Sequence, residues 1–184
     1  PNDTGFCFAA IINNFGDRKA RSHVPEGVDD YHSLALQSFK QFLTPTITIK
    51  KEVFNVVGIF DESLPASQEA ELMIRVTKKY KGVGVDTPVA LVNMHPDHVS
   101  INSYLGNRIR GRKIVLGKHK REFQKHPKSF AKHLFQMGIW HRDSGEYQKA
   151  SQQFRRAFMY NKKVRYLLHW VSMIGNGIIY KAVR

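Results

Sequence analysis

Gly58-Ile59-Phe60-Asp61-Glu62-Ser63-Leu64-Pro65-Ala66-Ser67-Gln68-Glu69-Ala70-Glu71-Leu72-Met73-Ile74-Arg75 is the stretch whose reading decides the fold. Its first eight residues read as a turn, bracketed by glycine and proline, in which an Asp side chain can bond local backbone N–H groups. Ser67 is a good N-cap candidate, so the spacing predicts a helix from there. Glu69, Leu72, Met73, Val76 and Tyr80 fall at i, i+3, i+4, i+7 and i+11 and share one face. An acid therefore leads an apolar stripe.

Working outward, the elements alternate. Gly5 to Ile12 is almost wholly apolar and closes on the cluster Asn13-Asn14-Phe15-Gly16-Asp17, the pattern of a strand buried on both faces. Asp17 to Val28 is polar, carries Pro25 and Gly27, and reads as a surface loop. Tyr31, Leu34, Ala35, Ser38, Phe39 and Phe42 recur at helical spacing, predicting a helix that ends near Leu43. Thr46 to Ile49 alternates as a short strand, and Lys51 to Val57 as a helical turn that Gly58 can end with a left-handed residue. Downstream, Gly82 and Gly84 break the helix. Val83, Val85 and the run Val89 to Val92 are strand-like, with Thr87-Pro88 between them and the loop His95-Pro96-Asp97-His98 after them. Helices in series with strands argue for a mixed α/β sandwich to about Asn102.

The charge is bipartite. The 184 residues carry a formal net +14, yet residues 1–105 contain 10 basic and 12 acidic side chains, while residues 106–184 contain 19 and 3. The second part, at net +16, is suited to a polyanionic neighbour or simply solvates helix surfaces with lysine and arginine. It shows no strand signal. Ile109, Val115 or Leu116, and Phe123 predict a basic amphipathic helix ending near His126-Pro127. Leu134, Met137, Gly138, His141, Gly145, Tyr147, Ala150, Phe154 and Ala157 keep the offsets of one tetratricopeptide-type helical hairpin over 129–161, although Lys162 stands where a proline is usual. One such repeat cannot bury its own faces and has to lean on its neighbours.

Composition narrows the class further. Hydrophobic residues at 42% and charged residues at 24% describe a folded chain. A single cysteine, Cys7, excludes an internal disulfide and a cysteine zinc cluster. No run approaches the ~18 apolar residues of a membrane-crossing helix. The chain opens at Pro1 with no signal pattern, which leads us to expect that it starts inside a longer polypeptide.

Thr46-Ile47-Thr48-Ile49-Lys50-Lys51-Glu52-Val53-Phe54, Val57-Gly58-Ile59-Phe60-Asp61-Glu62-Ser63-Leu64-Pro65 and Ser67-Gln68-Glu69-Ala70-Glu71-Leu72 with Arg75 together resemble the acceptor-side half of a family 2, GT-A fold glycosyltransferase. The likeness runs from about Thr44 to Asn102, and its specificity lies in the ordered combination. The fold class it implies is α/β, a partial GT-A-like mixed sheet with helices over residues 1–105. An all-α extension, residues 106–184, follows with the tetratricopeptide-like hairpin. The activity implied is transfer of a sugar, with inversion, from a nucleotide-diphosphate donor to an acceptor hydroxyl in glycan or polysaccharide assembly.

The resemblance also distributes roles. Glu69 aligns with the catalytic base, with Gln68 where the first acid of the family's pair would stand; Glu in place of the commoner Asp lengthens the reach by one methylene. Asp61, Glu62, Gln68, Ser100 and Asn102 are implied to line the acceptor site. His95, with His98 as its competitor, is implied to complete a Mn²⁺ or Mg²⁺ site beside the donor diphosphate. No Asp-x-Asp motif occurs near Gly5 to Ile12, and Asp29-Asp30 is followed by Tyr31. The donor site is therefore expected on residues outside this chain, which would be inactive alone.

Two other readings compete for the basic half. Phe123, Phe130, Phe135, Phe154, Phe158 and Tyr160 among basic residues suit a nucleic-acid-binding helical module, but most of them sit on apolar stripes where core packing is the default, so nucleic acid is not the expected partner; the hairpin suits a protein-interaction scaffold, a role that usually needs several stacked repeats where one is visible. The preferred expectation is cytoplasmic, peripheral attachment to the anionic inner face of a membrane where lipid-linked acceptors are assembled. Trp170, Tyr180 and aliphatic tail residues would then sit at the headgroup boundary, or the tail would pack back on the hairpin as a last helix.

Overall fold

The computed structural model describes residues 3–94 and 104–174. The chain divides into two compact units, Pro1–Ser103 and Tyr104–Arg184. The first is mixed α/β, and the second is helical throughout its described residues.

The first unit is organised by β1 (Thr4–Asn14), whose run Gly5 to Ile11 is buried except at Cys7, as its apolar sequence requires. Sheet order is β2-β1-β5-β3, with β4 also on β1. β2 (Lys19–Arg21) pairs antiparallel with the end of β1, and β4 (Ile47–Ile49) pairs antiparallel with its start. β5 (Lys81–Asn93) runs parallel to β1 along its length, and β3 (Gly27–Asp29) pairs antiparallel with β5. The segment 17–28 is thus not a plain loop, because two of its short pieces complete the sheet. Asp86 of β5 anchors it: the carboxylate accepts from Val24 N at 2.9 Å and from Arg21 Nη2 at 2.8 Å, and meets His23 Nδ1 at 3.2 Å. The Val24 amide foremost holds the Asp86 pKa below its usual range.

The sequence suggests that Gly82 and Gly84 break the helix and that two strand-like runs follow with Thr87-Pro88 between them; the helix does end before them, at Thr77. The structure instead holds one strand of 13 residues, whose irregularity is a register shift against Ala9–Ile11. The glycines make room. A Cβ at Gly84 would stand 1.8 Å from the Pro25 carbonyl oxygen, and one at Gly82 would stand 2.3 Å from Phe6 Cζ. Phe6 and Phe8 meet Tyr31 and Phe42 in an aromatic cluster, with Phe8 ring centroids 4.8 and 4.7 Å from the latter two.

Helix α1 (His32–Gln37) is shorter than the periodicity predicts, since Ser38 turns extended and Phe42 reaches the cluster from a non-helical segment. A 3₁₀ turn (Thr44–Thr46) leads into β4. Helix α2 (Lys51–Val57) ends at Gly58, which takes φ +78° as expected. Helix α3 (Gln68–Thr77) buries Leu72, Met73, Ile74 and Val76.

In the second unit, the single basic helix expected before Pro127 is two, α4 (Leu105–Lys118) and α5 (Lys120–Lys125), broken at His119. Helices α6 (Pro127–Asp143) and α7 (Tyr147–Tyr160) form the hairpin, turning at Gly145 with φ +76°. Gly138 allows close approach, for a Cβ there would stand 2.5 Å from Phe154 Cε1. Helix α8 (Val164–Ser172) follows, with Tyr166 stacked on Phe135 at 4.7 Å. The hairpin packs against α4 and α5 before it and α8 after it.

Candidate functional site

The first unit carries a cleft of about 180 Å³ lined by Thr44, Ile47, Ile49, Phe54, Phe60, Glu69 and Leu72. Each wall has a local cause. Ile47 and Ile49 are alternate residues of β4 and so present one face. Phe54 comes from α2, and Thr44 from the 3₁₀ turn that Pro45 starts. Glu69 and Leu72, three apart on α3, project side by side. A volume below the ~300–1,000 Å³ of sites that enclose a whole cofactor suits one small ligand moiety.

Glu69 is the one acid among the lining residues. It is half-buried, and its Oε1 accepts a hydrogen bond from the Thr44 hydroxyl. The chain enters α3 through Ser67, at φ 70° the one non-glycine residue of positive φ among those described. Ser67 therefore occupies the N-cap position in a left-handed conformation, with no side-chain cap bond, unlike the ordinary cap the sequence suggests. Such a conformation costs of order 1–3 kcal/mol. Gln68 is turned to the preceding loop, donating from Nε2 to the Leu64 carbonyl at 2.7 Å.

That loop is fixed by a pair to which sequence reasoning gave no role. Glu71 is fully buried, and Arg75 meets it through Nε at 3.0 and 3.2 Å and Nη2 at 2.8 Å. The same guanidinium donates to the carbonyls of Val57, Gly58 (3.3 Å) and Ile59 (2.8 Å). Arg75 thereby ties the backbone leading to Phe60, a cleft wall, onto α3. A Glu–Arg pair at i,i+4 within an apolar stripe was the available signal.

Asp61 closes a local turn, its Oδ1 accepting from Ser63 N at 3.0 Å and Ser63 Oγ at 2.6 Å. Glu62 is exposed on that turn. Neither lines the cleft. His95, His98, Ser100 and Asn102 lie outside the described residues. Among the described residues no group of three or more His, Cys, Asp or Glu is placed to hold a metal ion. Among the residues that line the cleft, Glu69 and Thr44 offer one carboxylate and one hydroxyl; Mg²⁺ bound by so few side chains takes its other ligands from water and substrate phosphates.

In the second unit most of the aromatic residues that lie among basic ones pack inward, the default role on an apolar helix stripe. Phe123, Phe130, Phe135 and Phe154 are buried, so they fill the core instead of offering faces to nucleobases. Trp170 packs beside Phe158 at 6.4 Å under Arg155 at 5.8 Å; Tyr180 lies outside the described residues. Arg108 and Arg112, one turn apart on α4, set their guanidinium carbons 4.3 and 4.5 Å from the Trp140 ring. Burial, then the Arg108 charge, pulls Arg112 down to about 9. The inward face of α4 thus includes arginine, which apolar periodicity could not reveal. Among the described residues no helix is long and apolar enough to cross a membrane.

Compared with known proteins, the chain matches no family model, no curated protein and no solved structure.

Proposed function

We propose that this chain is the acceptor-side portion of a nucleotide-sugar-dependent, inverting glycosyltransferase of the GT-A type, with Glu69 as general base. The α6–α7 hairpin is read as a tetratricopeptide-type extension. One observation carries the proposal: the acid that leads the α3 stripe lines a concavity and already holds an alcohol, the Thr44 hydroxyl, on Oε1. That contact is the one an acceptor alcohol must make.

In this reading Thr44 fixes Oε1 and the acceptor hydroxyl approaches Oε2. As the acceptor oxygen bonds to the donor's anomeric carbon, its proton passes to Oε2. The bond from that carbon to the diphosphate oxygen breaks, and the nucleoside diphosphate leaves with the electron pair. Attack opposite the leaving group inverts the centre. Phe54, Phe60, Ile47 and Ile49 offer the acceptor an apolar surface beside the base. The donor and any divalent metal are assigned to residues other than those described.

The test is sugar transfer from a panel of nucleotide-diphosphate sugars to saccharide acceptors by the full-length polypeptide carrying this chain. Glu69→Gln is expected to lower turnover roughly 10²–10⁴-fold, the usual worth of a positioned base, with little change in acceptor KM. Unchanged turnover in that variant refutes the role. The isolated chain is expected to bind acceptor without turnover; turnover by it would overturn the division between donor and acceptor sites.

A further inference from the structure

Helix α8 is apolar on two opposite sides. Tyr166 and Met173 are buried, and His169 lies against Phe135 and Phe154 with ring centroids 5.0 and 5.2 Å away. At about 100° per residue, Val164, Leu168 and Val171 fall within a ~60° arc centred opposite that packed side, and Ile174, just past the helix, lies about 60° outside that arc on one flank. These four are 68, 63, 41 and 56% exposed. A surface helix ordinarily turns polar residues outward, so an aliphatic stripe of this kind needs an occupant.

The surroundings of the stripe select one. Lys162, Lys163 and Arg165 are exposed at its start, and the sequence from 106 to 184 is net +16. A second copy of the chain would bring the same positive charge against itself. A nucleic acid would want cations and aromatic faces, whereas this stripe is Val, Leu and Val with Ile on its flank. The Lys162 ammonium and the Arg165 guanidinium lie 4.8 and 4.9 Å from the Phe158 and Phe135 rings, yet both residues remain exposed; an aliphatic face with exposed lysine and arginine at its start matches an anionic bilayer surface.

We propose that the outer face of α8, formed by Val164, Leu168 and Val171, flanked by Ile174 and preceded by Lys162, Lys163 and Arg165, docks peripherally on an anionic lipid surface. The aliphatic side chains enter the headgroup boundary, and the three cations meet lipid phosphates and carboxylates above it. This does not rest on the transferase reading, and it stands or falls without an activity assay.

The experiment is sedimentation of the whole chain with neutral phosphatidylcholine vesicles and with vesicles containing 30% phosphatidylserine, at 0.1 M and 0.5 M salt. Each basic residue near such a surface is worth about fivefold in partitioning, so three give roughly 100-fold preference for the anionic vesicles at low salt. High salt is expected to erase most of it. The double variant L168D/V171D, changed at exposed positions, is expected to lose binding with an unaltered circular dichroism spectrum; K162E/K163E is expected to lose the lipid preference. Equal binding to both vesicle types, or full binding by L168D/V171D, overturns the proposal. So does a dimer, seen by analytical ultracentrifugation, that L168D/V171D dissolves, as does salt-sensitive binding of duplex DNA that outcompetes the vesicles.

Discussion

Replacing Arg75 by Met removes the cation that serves both Glu71 and the loop before Phe60. The Glu71 side chain has no solvent exposure and receives three guanidinium contacts between 2.8 and 3.2 Å. Breaking one side of a buried pair costs about 3–5 kcal/mol, because the remaining charge stays out of water without its partner. Glu71→Gln keeps the length and one acceptor but forfeits the charge. It is expected to cost about 1–2 kcal/mol, the gap between a charge-assisted and a neutral hydrogen bond. In E71L/R75M both charges go, and the loss is expected to be smaller than that of R75M alone, since no buried carboxylate is left behind. The assay is urea unfolding of the four proteins. Trp140 and Trp170 both lie in Tyr104–Arg184, so their fluorescence tracks the second unit while far-UV ellipticity reports both. The Arg75 effects are expected in ellipticity. An R75M loss under 1 kcal/mol, or an E71L/R75M loss no smaller than that of R75M, would refute the assignment of Glu71–Arg75 as a coupled buried pair.

Gly138→Ala sets two effects against each other: alanine favours a helix by about 1 kcal/mol over glycine, but its Cβ meets the fully buried Phe154 ring at 2.5 Å. Overpacking of about 1–3 kcal/mol is expected to win, giving a net loss near 1 kcal/mol; in a Phe154→Leu background the same change is expected to stabilise, and equal effects in both backgrounds would exclude the contact. Burial foremost, then the charges of Arg142 and Arg165, holds the His169 pKa below 6.5. The unfolded chain then takes up a proton that the folded one resists, so the stability of the second unit is full above about pH 6.5. It declines as pH falls through the window between 6.5 and the folded value. Urea midpoints followed by Trp fluorescence from pH 7.5 to 5 should fall for the native protein more steeply than for His169→Phe, and parallel profiles would show that His169 is not the group responsible.

Strong local patterns were legible from the residues alone. The apolar run after Gly5 became the central strand because an unbroken series of Phe, Cys, Ala and Ile leaves a strand no solvent side. The α3 stripe and the hairpin from Leu134 to Ala157 were readable because 3.6-residue periodicity and small residues at close approach are written in order along the chain. The bipartite charge needed only counting. Against this, 17–28 read as loop because strands of three residues have no periodicity to detect, and they exist only through the partners that β1 and β5 supply.

The sequence by itself determined that a mixed α/β segment with an acid at the head of one helix precedes a basic helical segment. Those properties depend on spacing and composition. Tertiary structure alone decided that Thr44, 25 positions away, meets Glu69, that Arg75 ties Glu71 to the carbonyls of Val57 to Ile59, and that Arg108 and Arg112 turn inward on Trp140. It also decided which side of α8 is covered. Contacts of this kind join residues whose separation along the chain carries no periodic signal, so only the packing that brings them together can reveal them.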